Sequence, residues 1–273
     1  MSEGSLLTRG AADLGDIRQA EALSLLGSVE DAAVAAIVTD PPYGIAYHSN
    51  RHEGRNPHAP IAHDWNFQIA SFFGEAERVL RPGGAIYLFT RWDVFPLWAR
   101  EVPTSLTLGN LIVWDKGNHS SGDLTGNFGF QHELIMFITK GRHRLRSYRW
   151  SNLWRVPKVP HKKLRMPAEK PLDIYRRAIE SSSEPGDLVV DPFGGSGTLA
   201  EAAAALGRRF LVGDIDAGMV AMARRRVGLT VSGETSRAVT IPRCPIVRME
   251  PPSPALWGLH PEDFADWRAG GAS

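Results

Sequence analysis

Two short stretches of this 273-residue chain carry residue types suited to chemistry. The first is Asp40-Pro41-Pro42-Tyr43. Two consecutive prolines cannot continue a strand; they fix a stiff, extended turn that lacks two backbone donors. The carbonyls of Asp40 and Pro41 are then free to accept, and Asp40 adds a carboxylate. Such an acceptor cluster suits the gripping of an NH2 group, and Tyr43 adds a flat ring on which a base can stack. The bland alternative is a Pro-Pro turn that only ends a strand.

The second stretch is Asp191-Pro-Phe-Gly-Gly-Ser-Gly-Thr198. Its glycines 194, 195 and 197 allow a tight turn and close approach of a ligand to the backbone, and a helix beginning there would offer unpaired N–H groups. Asp214 lies where a carboxylate would meet ribose hydroxyls. Gly195-x-Gly197-x-x-Ala200 also satisfies the looser dinucleotide pattern. On its own, this stretch suits a dehydrogenase as well as a transferase that uses an adenosine ligand.

The elements around these stretches predict a doubly wound α/β fold with a mostly parallel sheet, Rossmann-like in type. Apolar runs at 33–38, 85–89, 188–190 and 210–212 end in polar or glycine-rich turns and read as strands buried on both faces, the second of them following a turn at Arg81-Pro-Gly-Gly84. Runs at 111–114 and 134–138 read as further strands. Helical spacing covers 67–80, the face Leu172, Tyr175, Ala178 and Ile179, the Ala-rich 199–206 ending at Gly207, and 217–227 with Asp216 as cap. In an open parallel sheet, ligands bind beyond the carboxyl ends of the strands, which is where both stretches lie.

Taken together, Asp-Pro-Pro-Tyr upstream and Phe-Gly-Gly-Ser-Gly-Thr downstream resemble the DNA amino-methyltransferases that use S-adenosylmethionine. Their order resembles the circularly permuted β group, and the resemblance spans roughly residues 12 to 228. Gly15-Asp16 with the helical stretch after it, Trp65, Arg78 to Gly84, Trp114-Asp-Lys116, Asn127-Phe128 and His132-Glu133 look like further family elements. Met166-Pro-Ala-Glu-Lys-Pro171 resembles the short motif before the cofactor loop. Met166 stands where that motif often has His, so no cofactor contact is carried onto it.

The resemblance implies that Asp40, Pro41, Pro42 and Tyr43 are catalytic. Asp40 and the Pro41 carbonyl would grip the exocyclic amine, Pro42 would shape the turn, and Tyr43 would stack the flipped base. It implies that Asp16, Thr39, Asp40, Lys170, Pro171, Asp191, Phe193, Gly195, Gly197, Thr198 and Asp214 surround the S-adenosylmethionine. Transfer would be direct. A ring-carbon methyltransferase would need a Cys nucleophile after Pro, whereas the lone Cys244 precedes Pro245. Asp-Pro-Pro-Tyr is more typical of the enzymes that methylate adenine N6; cytosine N4 is the first alternative. A dinucleotide-dependent oxidoreductase and a non-catalytic DNA-binding subunit are further alternatives, the former leaving Asp-Pro-Pro-Tyr without a role.

Charge adds a partner. The net charge is +1, but residues 140–165 hold ten Lys or Arg and no Asp or Glu, which leaves 21 basic against 30 acidic residues elsewhere. Within this stripe Arg142, Arg144, Arg146, Arg149, Lys158, Lys162 and Lys163 are the candidates for holding double-stranded DNA by its phosphates, with Trp150 and Trp154 among them. A solvated surface loop is the alternative reading. Residues 1–228 are thus expected as the catalytic domain, with 115–165 as a strand-poor target-recognition insertion and 229–273 as a Pro-rich arm or tail. A homodimer and a companion restriction nuclease are left open as partners.

The composition, 43% hydrophobic and 22% charged, is that of a globular protein. No run approaches the roughly 18 apolar residues of a spanning helix, and no secretory signal stands at the N-terminus, so a cytoplasmic location without membrane contact is expected. His48, His52, His58 and His63 match no common zinc spacing; no metal is expected, and the polar loop that carries them reads as a flap.

Overall fold

The computed structural model describes residues 14–43, 68–119, 126, 128–166 and 169–229. The four histidines of the expected flap, Trp65, Asn127, Cys244 and nearly all of the Pro-rich tail lie outside these residues.

The strand Val34–Thr39 (β2) is buried along its whole length, which requires a central strand with helices on both faces. Leu80–Thr90 (β3) pairs with it in parallel on one side and Leu188–Asp191 (β7) on the other. Beyond β7 come Arg209–Asp214 (β8) and then Gly15–Gln19 (β1), both parallel. On the other flank His132–Lys140 (β5) runs antiparallel to β3 and to Leu106–Asp115 (β4), and Leu153–Arg155 (β6) closes the edge parallel to β4. The order is β1-β8-β7-β2-β3-β5-β4-β6.

Alternation along β2 divides the core. Ala36 and Val38 face a cluster that includes Ile174, Tyr175, Leu199, Ala203 and Val220, from the helices Leu172–Ser182 (α4), Thr198–Ala205 (α5) and Ala217–Arg226 (α6). Val34 and Ile37 face Leu25, Phe72, Phe73 and Trp98, from Ala22–Gly27 (α1), Ile69–Val79 (α2) and Phe95–Arg100 (α3). Each such fully buried aliphatic side chain contributes about 1.5–3 kcal/mol of transfer free energy, so the centre of the sheet is its most strongly held part. The expected cap is present: Asp216 Oδ1 accepts from the N–H groups of Gly218 at 2.6 Å and Met219 at 3.1 Å.

Two expectations are revised. Arg81-Pro-Gly-Gly84 does not form a free turn but lies within β3, as a bulge: Val34 pairs with Leu80, yet Ala36 pairs with Ala85. Gly15-Asp16, expected ahead of a helical stretch and the Asp-Pro-Pro-Tyr strand, does stand in that order, within the edge strand β1 and followed by α1 and β2. The span 115–165 is not separate from the sheet, because it supplies β5, whose Ile135, Met136 and Ile138 are core residues, and β6. No helix among the described residues is long and apolar enough to cross a membrane.

Candidate functional site

Topology brings the two motifs together. From β2 the chain crosses to β3 on one side, and from β7 it crosses to β8 on the other, so the adjacent carboxyl ends of β2 and β7 form the switch point at which a crevice opens. There the hydroxyl of Thr39 donates to Asp191 Oδ1 at 2.7 Å. Asp40 follows directly on one side, and the glycine bend follows on the other.

The bend is held from below and from the side. Gly194 N–H donates to the Gly213 carbonyl at 2.7 Å, Phe193 N–H to Asp191 Oδ1 at 3.1 Å, and Gly195 N–H to Asp214 Oδ2 at 2.9 Å. Gly195 and Gly197 both have positive φ, 49° and 80°, which a side chain would strain. Thr198 opens α5 and is buried. The carboxyl of Asp191 is fully buried, and burial pushes it up to about 7 against the bonds from Thr39 and Phe193. Burial also raises Asp214, against the backbone N–H groups of Asp216 and Gly195.

Asp40 is engaged on both oxygens. Oδ1 accepts the Tyr43 hydroxyl at 2.7 Å, and Oδ2 lies 2.8 Å from the Lys170 ammonium. The ring of Tyr43 tilts against Trp98 with centroids 5.9 Å apart, so in this state it is not an open stacking platform. Burial raises the Tyr43 phenol well above its usual value, and Asp40 adds to the effect.

Of the residues expected around the cofactor, Thr39, Asp40, Asp191, Phe193, Gly195, Gly197, Thr198 and Asp214 gather at this end of the sheet. Lys170 and Pro171 arrive just before α4, but the Lys170 ammonium turns to Asp40 and to Glu133 Oε2, 2.8 Å from each, rather than to the glycine bend. Asp16 is not brought to the bend. It pairs in register with Leu211, three residues before Asp214, and its exposed carboxylate binds Arg18 at 2.7 Å. Position 19, opposite Asp214, is the β1 residue at that level.

The basic stripe is divided. β5 runs antiparallel, so it leaves the sheet at the end remote from Asp40. Arg142 sits by Gly83, His143 Nδ1 lies 2.8 Å from the Gly83 carbonyl, and the Arg146 N–H donates to Ser181 at 3.0 Å. Arg142, Arg144 and Arg146 therefore lie away from the crevice, Arg146 beside Glu184 at 3.6 Å, and Arg149 is in the exposed run leading to β6. Strand β6 then returns toward the crevice in register with the end of β4, so exposed Lys158, Lys162 and Lys163 emerge on the side of Asp40. Trp154 is a core residue, and Trp150 lies under Arg177 at 4.7 Å.

Several residues at the site carried no assigned role in the sequence. Lys116 Nζ lies 3.1 Å from Glu133 Oε1, and Phe89 and Trp114 present their rings to Lys170 at 5.3 and 5.9 Å. Tyr175 OH reaches Asp191 Oδ2 at 3.5 Å. Met166 Sδ accepts from Ser196 N–H at 3.1 Å, so it does touch the bend. Arg226 binds Glu169 at 2.8 Å, Thr198 Oγ1 at 3.0 Å and Glu201, and ties α6 to the bend. Glu133 and Lys116 stand inside family-like motifs; their pairing across β4 and β5 is a matter of register, which no local pattern displays.

The N6/N4 methyltransferase family model, described as DNA methylase, matches residues 34–225. Type II methyltransferase M.HpaI of Haemophilus parainfluenzae is 26% identical over 258 residues, covering 82% of this chain and 77% of that protein. DNA adenine methyltransferase YhdJ of Escherichia coli is 26% identical over 268 residues, covering 83% and 87%. Among solved structures, the M1.HpyAVI-SAM complex has a TM-score of 0.64 at 19% identity, covering 79% of this chain and 100% of that one. PvuII DNA methyltransferase, cytosine-N4-specific, has a TM-score of 0.63 at 17% identity, covering 81% and 88%. These two share the fold described above. With both motifs and most of the sheet inside the matched span, the chain belongs to the N6/N4 DNA methylase family.

Proposed function

We propose that the protein transfers a methyl group from S-adenosylmethionine to N6 of adenine in double-stranded DNA. The observation that carries this reading is the Thr39–Asp191 hydrogen bond, which sets an amine-acceptor turn and a glycine bend side by side at one switch point.

The residues at the bend fit the cofactor. The positive φ of Gly195 and Gly197 gives the tight bend, the half-buried Asp214 supplies a carboxylate, and Phe193 supplies an apolar flank against Phe72 at 6.4 Å. Asp191, Phe193, Gly195, Gly197, Thr198 and Asp214 would hold it. S-adenosylmethionine, when bound, supplies an electrophilic sulfonium methyl.

The protein's own part is positioning and charge. The Asp40 carboxylate and the Pro41 carbonyl accept the two N–H bonds of the amine and aim its lone pair. The proton that the amine sheds after transfer is held at Asp40. A paired base cannot reach this crevice, so it is flipped out at a cost of a few kcal/mol. Lys158, Lys162 and Lys163 hold flanking phosphates and offset part of that cost. Tyr43 stacks on the flipped base once its hydroxyl leaves Asp40.

Adenine is favoured over cytosine by Asp-Pro-Pro-Tyr, the pattern more typical of adenine enzymes, and by the likeness to YhdJ, which is named an adenine methyltransferase. Nucleoside mass spectrometry of DNA from cells expressing the protein tests the choice. N6-methyladenine is expected; N4-methylcytosine alone would overturn it.

A further inference from the structure

The charges behind Asp40 form a chain that methyl transfer by itself does not require. Lys170 Nζ lies 2.8 Å from both Asp40 Oδ2 and Glu133 Oε2, and Glu133 Oε1 lies 3.1 Å from Lys116 Nζ. Two carboxylates and two ammonium groups thus alternate. They come from four separate pieces of chain: the turn after β2, the residue past β4, the start of β5 and the loop before α4. The Lys170 side chain is only 8% exposed and lies against Phe89 and Trp114.

A buried ammonium is costly unless it is paired. Paired with Asp40 alone, Lys170 would cancel the charge that attracts an amine. Glu133 divides that attraction and leaves Asp40 with acceptor strength to spare. It also fixes geometry. With Oδ2 committed to Lys170, Oδ1 is the oxygen that meets other donors, and in this structure its donor is the Tyr43 hydroxyl at 2.7 Å.

We propose that Glu133 and Lys170 are positioning residues for the amine acceptor: Glu133 holds Lys170, Lys170 fixes Asp40 through Oδ2, and Oδ1 exchanges the Tyr43 hydroxyl for the amine of the target base. The inference rests on the amine-gripping role of Asp40 stated above. The titratable groups that face Lys170 are Asp40 and Tyr43 from the turn, Glu133 from β5 and Tyr175 from α4, with Lys116 bound to the other oxygen of Glu133. Burial raises the Glu133 carboxyl, but Lys170 and then Lys116 outweigh it, so it sits below the usual range. Burial lowers Lys170, and Asp40 and Glu133 outweigh that, so it sits well above its usual value.

The test is the pH profile of kcat for the wild type, K170M, K170R and E133Q, with cofactor Kd measured by equilibrium dialysis. In K170M the cation beside Asp40 Oδ2 is gone and Glu133 no longer reaches the acceptor, so the acid limb should move up by about one pH unit while kcat falls about 30-fold. K170R should keep the wild-type limb and recover kcat to within about fivefold. E133Q should lower kcat about tenfold with cofactor Kd and KM for DNA within about twofold, because Lys170 then belongs wholly to Asp40. An unmoved limb in K170M, a loss confined to cofactor Kd, or a wild-type kcat in E133Q would overturn the proposal. If K170M does not fold, the kcat-against-KM split of E133Q decides. An Asp40→Ala enzyme run alongside keeps the two readings apart. Continued methylation by D40A overturns the proposed function, whereas an inactive D40A with an unmoved K170M limb overturns only the positioning role.

Discussion

Thr39 and Asp191, 152 residues apart in the chain, are joined by a 2.7 Å hydrogen bond between the ends of β2 and β7. The bond fixes the spacing between the acceptor turn and the glycine bend, and it ends on a carboxyl that burial has pushed up to about 7.

That carboxyl makes stability depend on pH. Its folded value lies above the roughly 3.9 of an unfolded Asp, so between about pH 4 and pH 7 the folded state binds more protons than the unfolded one. Stability therefore falls as pH rises through that window, by at most about 4 kcal/mol. Asp191→Asn should flatten this slope, whatever its effect on absolute stability. Urea midpoints at pH 5 and pH 8 check it, and an unchanged difference between them in the variant would refute the assignment.

The two glycines of the bend that have positive φ, Gly195 and Gly197, should differ in their tolerance. A Cβ on Gly195 would meet the flexible Met166 Sδ at 2.8 Å, whereas one on Gly197 would meet Ala223 Cβ at 2.7 Å and Cα at 2.9 Å. Gly195→Ala should cost about 1–2 kcal/mol for the backbone strain. Gly197→Ala must also move α6 and should cost about 2–5 kcal/mol. Denaturant unfolding ranks them.

Arg226 is a buried cation whose partners span three segments. Its side chain is 4% exposed, Glu169 is 2% exposed, and the remaining partners are Glu201, Ser196 and Thr198. Arg226→Met should leave Glu169 facing only the half-exposed Arg165 and cost roughly 3–5 kcal/mol, with weaker binding of S-adenosylmethionine as the bend loosens. Arg226→Lys should lose less, since the charge remains. Unfolding curves and calorimetric titration of the cofactor report the two effects separately.

The two parts of the basic stripe should also separate in function. Removing Lys158, Lys162 or Lys163, on the side of Asp40, should lower affinity for a short duplex and reduce the salt slope by about 0.9 for each phosphate no longer neutralised. Arg142→Ala with Arg144→Ala, at the remote end, should leave the slope on that duplex unchanged. Binding titrations at several salt concentrations make the comparison.

Much of this arrangement was legible in the residues. β2, β7 and β8 are apolar runs that end in turn chemistry, so two-sided burial could be read directly. Gly15–Gln19 could not, because only Ile17 of its five residues is buried, as befits an edge strand. β6 has three residues, two of them exposed, and presents no period at all. The Asp40 and Gly195 motifs were visible through backbone chemistry, since proline and glycine state what the chain must do. The ion pairs of Lys170, Glu133 and Lys116 were not, because they depend on strand register and on which way a long side chain turns. The split of the basic stripe was hidden for the same reason. Ten like charges in one segment look continuous until an antiparallel strand carries some of them to the other end of the sheet.

The central claim is that the turn at Asp40 grips an amine beside a methyl donor held at Gly195. Incubation of the purified protein with duplex DNA and S-adenosylmethionine carrying a labelled methyl group tests it most directly, with Asp40→Ala as control. The wild type should place the label on the adenine amine, and D40A, with the cofactor at saturating concentration, should transfer at least about 100-fold more slowly. Label reaching DNA at the wild-type rate in D40A, or no label in either while the cofactor is bound, would contradict the account.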